Sequence, residues 1–175
     1  MLTLLLLRHA KSSWDNPGLS DYDRPLAKRG QKAAPRMGAE IAALKLRPEL
    51  VLCSGAQRTR ETLALVLDQL DHPLPKVVYD DAIYMAPPPG LVGILHKLPD
   101  GAGTPKTVMI VGHNPGLEEL AEELVAGGDE DAREVMAKKF PTGALAVITF
   151  DARSWSAVAP GGGSLVRFVT PASLT

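Results

Sequence analysis

Two histidines and two arginines in this chain stand at or just past the ends of short apolar runs. Residues 2–7 lead into Arg8-His9, residues 50–53 into Ser54 and then Arg58, and residues 107–111 into Gly112-His113-Asn114. Arginine presents a planar fork that grips two oxygens of a phosphoryl group. In open α/β sheets ligands bind beyond the carboxyl ends of the strands. If the three runs are neighbouring parallel strands, Arg8, His9, Arg58 and His113 converge on one spot. Helix N-termini arrive there too, with free N–H groups and the positive end of a dipole. Two guanidinium groups and an imidazolium offset the charge of a phosphate dianion, and a histidine with a free ring nitrogen can attack phosphorus to give a covalent phosphoenzyme.

The elements that must position these residues follow from the apolar pattern. Residues 2–7 are continuously apolar apart from Thr3, as in a strand buried on both faces. Ala34, Met37, Ile41 and Leu44 recur at helical spacing, with Pro35 inside the pattern as a kink or a second start. Residues 50–53 form a second strand. Ser54 to Gln57 has capping-box spacing and opens a helix carrying Leu63, Val66, Leu67 and Leu70. Residues 77–79 are a short strand, 80–90 a proline-rich loop, and Leu91, Ile94, Leu95 and Leu98 a further helix. Residues 107–111 are β-branched and strand-like. Asn114-Pro115 then reads as N-cap and first helical residue, and Gly127-Gly128 as the stop of that helix. Residues 127–134 are a loop or weak helix, 144–150 a late strand, and 165–169 an antiparallel edge strand. Strands alternating with helices predict an α/β fold, with a mainly parallel central sheet covered by helices on both faces.

Composition narrows the function classes. The 175 residues, 45% hydrophobic and 22% charged, suit one globular domain over 1–175. A net charge of −1 leaves no global field for nucleic acid or an anionic membrane, although a local basic pocket is compatible with it. The single cysteine, Cys53, rules out an intramolecular disulfide framework and suits a reducing compartment. The apolar start ends at Arg8 and lacks a basic leader, so a buried strand and a cytoplasmic location are expected. Gly101 to Thr107 fails the phosphate-loop spacing, because Pro105 stands before the lysine.

Four stretches in order resemble the histidine phosphatase superfamily, of phosphoglycerate mutase-like fold, and within it the small phosphohistidine phosphatases of the SixA type. They are Arg8-His9-Ala10-Lys11-Ser12-Ser13-Trp14, then Asp23-Arg24-Pro25-Leu26 with Arg29-Gly30, then Ser54-Gly55-Ala56-Gln57-Arg58-Thr59, and Val111-Gly112-His113-Asn114-Pro115. Phe140-Pro141-Thr142-Gly143 before a late strand fits as well. The resemblance implies a three-layer α/β/α sandwich without a large cap insertion. It implies His9 as the phosphorylated nucleophile, Arg8 and Arg58 as the phosphoryl clamp, and His113 as the second pocket histidine. It adds Arg24, Ser54 and Asn114 as substrate-binding residues, and it implies no metal and no cofactor. Ala10 stands where glycine is more usual, as also happens in the SixA-type subgroup.

Many members of the superfamily carry a glutamate proton donor after the third strand. Here that stretch has only Asp80 and Asp81. An alkyl phosphate ester needs a stronger acid than phosphohistidine does, so the expected substrate is a phosphohistidine-bearing protein. The rivals are a small-molecule phosphomonoesterase or mutase of the same superfamily, and a non-catalytic phosphate- or phosphoprotein-binding module. A monomer with an open pocket suits a protein-sized substrate. Arg24 also has a purely structural reading as an ion pair with Asp21 or Asp23. Trp14 reads equally as pocket mouth or packing, and Cys53 as a small apolar strand residue.

Overall fold

A computed structural model describes residues 1–174. Its strands are β1 (Leu2–Arg8), β2 (Leu50–Cys53), β3 (Lys76–Tyr79), β4 (Thr107–Gly112), β5 (Val125–Gly128), β6 (Leu145–Phe150) and β7 (Gly163–Val169). Its helices are α1 (Lys28–Ala43), α2 (Gln57–Leu67), α3 (Pro88–His96), α4 (Gly116–Leu124) and α5 (Glu130–Lys138). The strands make one sheet in the order β3-β2-β4-β1-β6-β7-β5. The β3–β2, β2–β4, β4–β1 and β7–β5 pairs are parallel, whereas β6 runs antiparallel to both β1 and β7.

The leucine run of β1 explains the layering. Successive strand side chains point to opposite faces. Leu5 and Leu7 pack with Met37, Ile41, Leu63 and Val66 of α1 and α2. Leu4 and Leu6 pack with Leu91, Leu95, Leu117 and Leu120 of α3 and α4. A strand buried on both faces needs apolar residues at every position, and Leu4 to Leu7 are fully buried. The mainly parallel α/β architecture with helices on both faces is therefore as expected.

Six local readings are corrected. Gly127-Gly128 does not stop a helix: α4 ends at Leu124, and the glycines lie in β5, paired with Ser164 and Leu165. This places β7 inside the sheet, between β6 and β5, and leaves β5 at the edge. The proline-rich loop ends earlier than expected, because Pro88 and Pro89 occupy the first turn of α3, where no N–H is required. The weak helix beyond Gly128 is a full α5, capped by Asp129, which accepts from the Ala132 N–H at 2.8 Å. Pro115 stands at the N-cap of α4 and not inside it, while the Asn114 side-chain oxygen still accepts from the Glu118 N–H at 3.3 Å. Helix α1 runs unbroken through Pro35, its buried face of Ala34, Met37 and Ile41 holding it on the sheet.

Two glycines tie the loops beneath the site together. At Gly143, φ is +77° and an added Cβ would sit 2.8 Å from Pro171, while its N–H donates to the carbonyl of His9 at 2.9 Å. At Gly30, in the first turn of α1, a Cβ would lie 2.2 Å from the Lys11 carbonyl oxygen. Gly30→Ala should therefore lower stability by about 1–3 kcal/mol through backbone overpacking. Gly93→Ala in α3 meets nothing within 4 Å and should gain about 0.5–1 kcal/mol from helix propensity. Urea denaturation of the two variants beside the parent checks both signs.

Candidate active site

The parallel pairing of β1 with β4 sets Arg8 opposite Gly112, so the residues that follow emerge side by side. The rings of His9 and His113 lie 5.3 Å apart, inclined at 53°. Strand β2 lies on the far side of β4, and Arg58 comes from the first turn of α2 just beyond it. Its Nε approaches His9 Nε2 at 3.4 Å. Residues far apart in sequence thus meet around a cavity of about 310 Å³. Arg8, His9, Arg24, Arg58, His113 and Asn114 all line it, with Lys11, Ser12, Trp14, Asp21, Met85 and Thr142.

His9 has a defined tautomer. Its Nδ1 lies 2.7 Å from the Ala10 carbonyl oxygen, which can only accept, so Nδ1 carries the proton and Nε2 keeps its lone pair. Burial, and then the positive charges of Arg58, Arg8 and Arg24, push its pKa down to about 4, against the partial support of the Ala10 bond. His113 is pushed down to about 3 by burial, then by His9 and Arg58. Both imidazoles are neutral at pH 7. Burial also lowers the Arg8 guanidinium from its ordinary value, with Glu118 opposing.

The second sphere of contacts holds these groups in register. The Phe140 carbonyl accepts from Arg8 Nη1 at 2.9 Å and from Asn114 Nδ2 at 3.0 Å. Thr62 Oγ1 accepts from the Ala10 N–H at 3.0 Å and donates to the Arg58 carbonyl at 2.7 Å, joining the end of β1 to α2. Ser54 does not line the cavity. Its hydroxyl lies behind His113, 2.8 Å from Nε2, and accepts from the Ala56 N–H at 3.3 Å. The expected capping box is therefore not made: α2 begins at Gln57, and the serine is drawn to the histidine. Among the described residues, Arg8 Nε and His113 Nδ1 are buried with no hydrogen-bond partner. Such orphaned groups are costly in a core and recur at functional sites.

The residue that sequence reading underrated is Asp21. One carboxylate oxygen accepts from Arg24 Nη1 at 2.8 Å, and the other accepts from Arg58 Nη2 at 3.0 Å and from the Tyr84 hydroxyl at 2.5 Å. Its backbone carbonyl takes Arg58 Nη1 at 2.6 Å. The Tyr84 bond, with Arg24 and Arg58, holds its pKa down to about 2. An ion pair of Arg24 with Asp21 or Asp23 is one reading of the sequence, and Asp21 is the partner, but nothing local in the chain reveals Arg58, 37 residues on. Arg24 is the meeting point of both of its readings. It lines the cavity, yet its donors go to Asp21, to the Ser13 carbonyl and to the Ser12 hydroxyl, with Trp14 stacked 3.3 Å from its guanidinium carbon. Asp80 and Asp81 face elsewhere: Asp80 accepts from the Ala82 N–H and Asp81 from the Tyr22 hydroxyl. Cys53 is buried, and its thiol is pushed up to about 12 by desolvation. Among the described residues no cluster of three His, Cys, Asp or Glu side chains could hold a metal ion, and no helix is long and apolar enough to cross a membrane.

Known proteins similar to this chain point to one family. Residues 4–83 match the model of the histidine phosphatase superfamily, branch 1. The chain is 36% identical to the uncharacterised protein Rv1276c of Mycobacterium tuberculosis over 167 residues, covering 94% of this chain and 99% of the relative. Its fold superimposes on a protein of Agrobacterium tumefaciens designated a phosphohistidine phosphatase, SixA, with TM-score 0.80 and 29% identity, over 97% of this chain and 98% of the other. A protein of Nakamurella multipartitia with the same designation gives TM-score 0.81 and 28% identity, over 97% and 96%. The chain belongs to the histidine phosphatase superfamily, and that membership, with SixA-like neighbours over nearly its whole length, supports phosphatase activity.

Proposed function

We propose that this protein is a phosphohistidine phosphatase, acting on a phosphorylated histidine of a protein through a phosphoryl group carried on His9. The observation that carries the reading is the state of His9. Its Nδ1 proton is committed to the Ala10 carbonyl, and its Nε2 lone pair faces Arg58 beside the cavity. Neutral Nε2 attacks phosphorus in line. The substrate ring, protonated from solvent on its other nitrogen, departs as neutral imidazole as the phosphorus–nitrogen bond breaks and the bonding pair stays on the nitrogen that held phosphorus. Water then attacks the phosphoryl group on His9, releasing inorganic phosphate and restoring the lone pair.

Arg8, Arg58 and His113 hold the phosphoryl oxygens in this cycle. Arg58 shares its donors with Asp21, so Asp21 sets how strongly that arginine grips the dianion. Asn114 shares the Phe140 carbonyl with Arg8 and thereby positions it. Ser54 orients His113 from behind. Arg24 acts mainly by fixing Asp21.

The nature of the leaving group follows from the acids present. Among the described residues Asp21 is the one carboxyl on the cavity wall, and with a pKa of about 2 it is no proton donor at neutral pH. His113, held near 3, is likewise neutral. A departing alkoxide needs a general acid, whereas an imidazole, with an ordinary pKa of about 6.5, departs without a strong one. The site favours the phosphoramidate bond of phosphohistidine over sugar phosphates.

Brief exposure to a labelled phosphodonor should give an acid-labile, alkali-stable adduct on the parent protein and none on His9→Ala. A folded His9→Ala protein with full turnover would end the proposal. Removing one transition-state clamp, in Arg58→Ala, should lower kcat/KM by roughly 10²–10³-fold. Protonation removes the attacking lone pair, so kcat/KM, with the uncatalysed rate subtracted, should hold level as pH falls through 6.5 and decline only toward about 4. A midpoint near 6.5 would show that His9 is not poised as described. The folded-state values of His9 and His113 lie below the unfolded value. Stability should therefore fall as pH drops below about 6.5, where the unfolded chain alone binds protons, as pH-dependent denaturant melts would record.

A further inference from the structure

Lys11 and Thr142 line both the phosphate cavity and a second, larger depression of about 640 Å³, so the two share a wall. Six cations line this depression, namely Lys11, Arg29, Lys32, Arg36, Lys138 and Lys139, and no carboxylate does among the described residues. The chain as a whole is balanced, with 19 basic and 20 acidic residues. The separation of sign is therefore a property of this face and not of the composition.

The arrangement runs against the stability of α1. Arg29, Lys32, Ala33 and Arg36 follow the i, i+3, i+4, i+7 pattern and form one stripe along the helix. Like charges at that spacing repel. The first turn of α1 contains Lys28 and Arg29 and no acid, the unfavourable sense for a helix dipole. Among the described residues none of the six cations is in an ion pair; Arg36 makes a long bond, 3.4 Å, to the Pro171 carbonyl. An anionic partner relieves both the repulsion and the dipole penalty.

The walls say which kind of anion fits. Between the cations lie apolar surfaces of Ala33, Pro141, Pro171 and Val135, the last 51% exposed. Among the described residues no aromatic ring lines the depression, so none is provided there on which bases would stack. The surface is concave, unlike one that rests on a bilayer. A polypeptide with carboxylates interspersed among small apolar side chains matches both the charge and the floor.

We infer that this groove holds an acidic segment of the protein substrate, flanking the phosphohistidine presented to His9. The inference rests on the proposed phosphohistidine reading for its orientation, and its binding test does not. In fluorescence anisotropy, a short labelled peptide rich in Glu and Asp with interspersed Val, and without phosphate, should bind the full chain and weaken steeply with added salt. Lys32→Glu with Arg36→Glu should lower that affinity at least about tenfold while leaving turnover of a small phosphodonor within about twofold of the parent. Lys138→Gln with Lys139→Gln, on the opposite wall, should weaken binding in the same direction, so a misfolded first variant would not decide the matter. A phosphohistidine peptide with acidic flanks should show a lower KM than one with neutral flanks, and the Lys32/Arg36 reversal should erase the difference. Peptide affinity unchanged in both pairs of variants would overturn the inference, as would tighter binding through the same residues to phosphatidylserine vesicles or oligouridine. If the peptide binds as described but phosphohistidine is not hydrolysed, the proposed activity fails and the groove stands.

Discussion

Everything in the site depends on crowding basic side chains into one half-enclosed hollow. Arg8, Arg58 and Arg24 bring three guanidinium groups together, and little water remains around His9 and His113, which are 6% and 4% exposed. Burial first, and then the nearby guanidinium charges, disfavour a fourth or fifth positive charge there, so neither imidazole takes a second proton. Burial and the neighbouring guanidinium charges together leave His9 neutral, the state that the proposed cycle requires of it. Asp21 moderates the excess, its single carboxylate shared by two guanidinium groups and a tyrosine.

Positioning comes from segments distant in sequence. The Phe140 carbonyl steadies Arg8 and Asn114, the Gly143 N–H closes on the end of β1, and Thr62 ties that end to α2. Below them β1 and β4 are packed with fully buried side chains on both faces, so the strand ends have little freedom. A close-packed floor allows a shallow and open site to keep its geometry. At its rim, Lys11 and Thr142 form a wall shared with the basic groove along α1 and the end of α5.

Much of this was legible from the chain. The leucines of β1, the β-branched residues of β4 and the Arg-His and Gly-His steps after them identified both the central strands and the side chains that line the cavity. Local rules failed where a tertiary partner competed. Ser54 has the spacing of a helix cap and serves His113 instead. Gly127-Gly128 looks like a helix stop, but β7 offers it a backbone partner, the Asp129 N–H continuing the contact to the Leu165 carbonyl at 2.9 Å. Asp80 and Asp81 lie in the stretch where an acid was sought, yet their side chains bond away from the cavity.

The amino-acid order alone determined which chemical groups follow which strands, because side-chain type, period and turn residues act over a few neighbouring positions. It also determined that Arg8, His9, Arg58 and His113 would meet, provided their strands were adjacent. Only the tertiary structure decided the adjacency, the neutral state of the imidazoles, the reach of Asp21 to Arg58 and the pooling of six cations on one face. Those depend on through-space distance and on the exclusion of water, and neither quantity is carried by spacing along the chain.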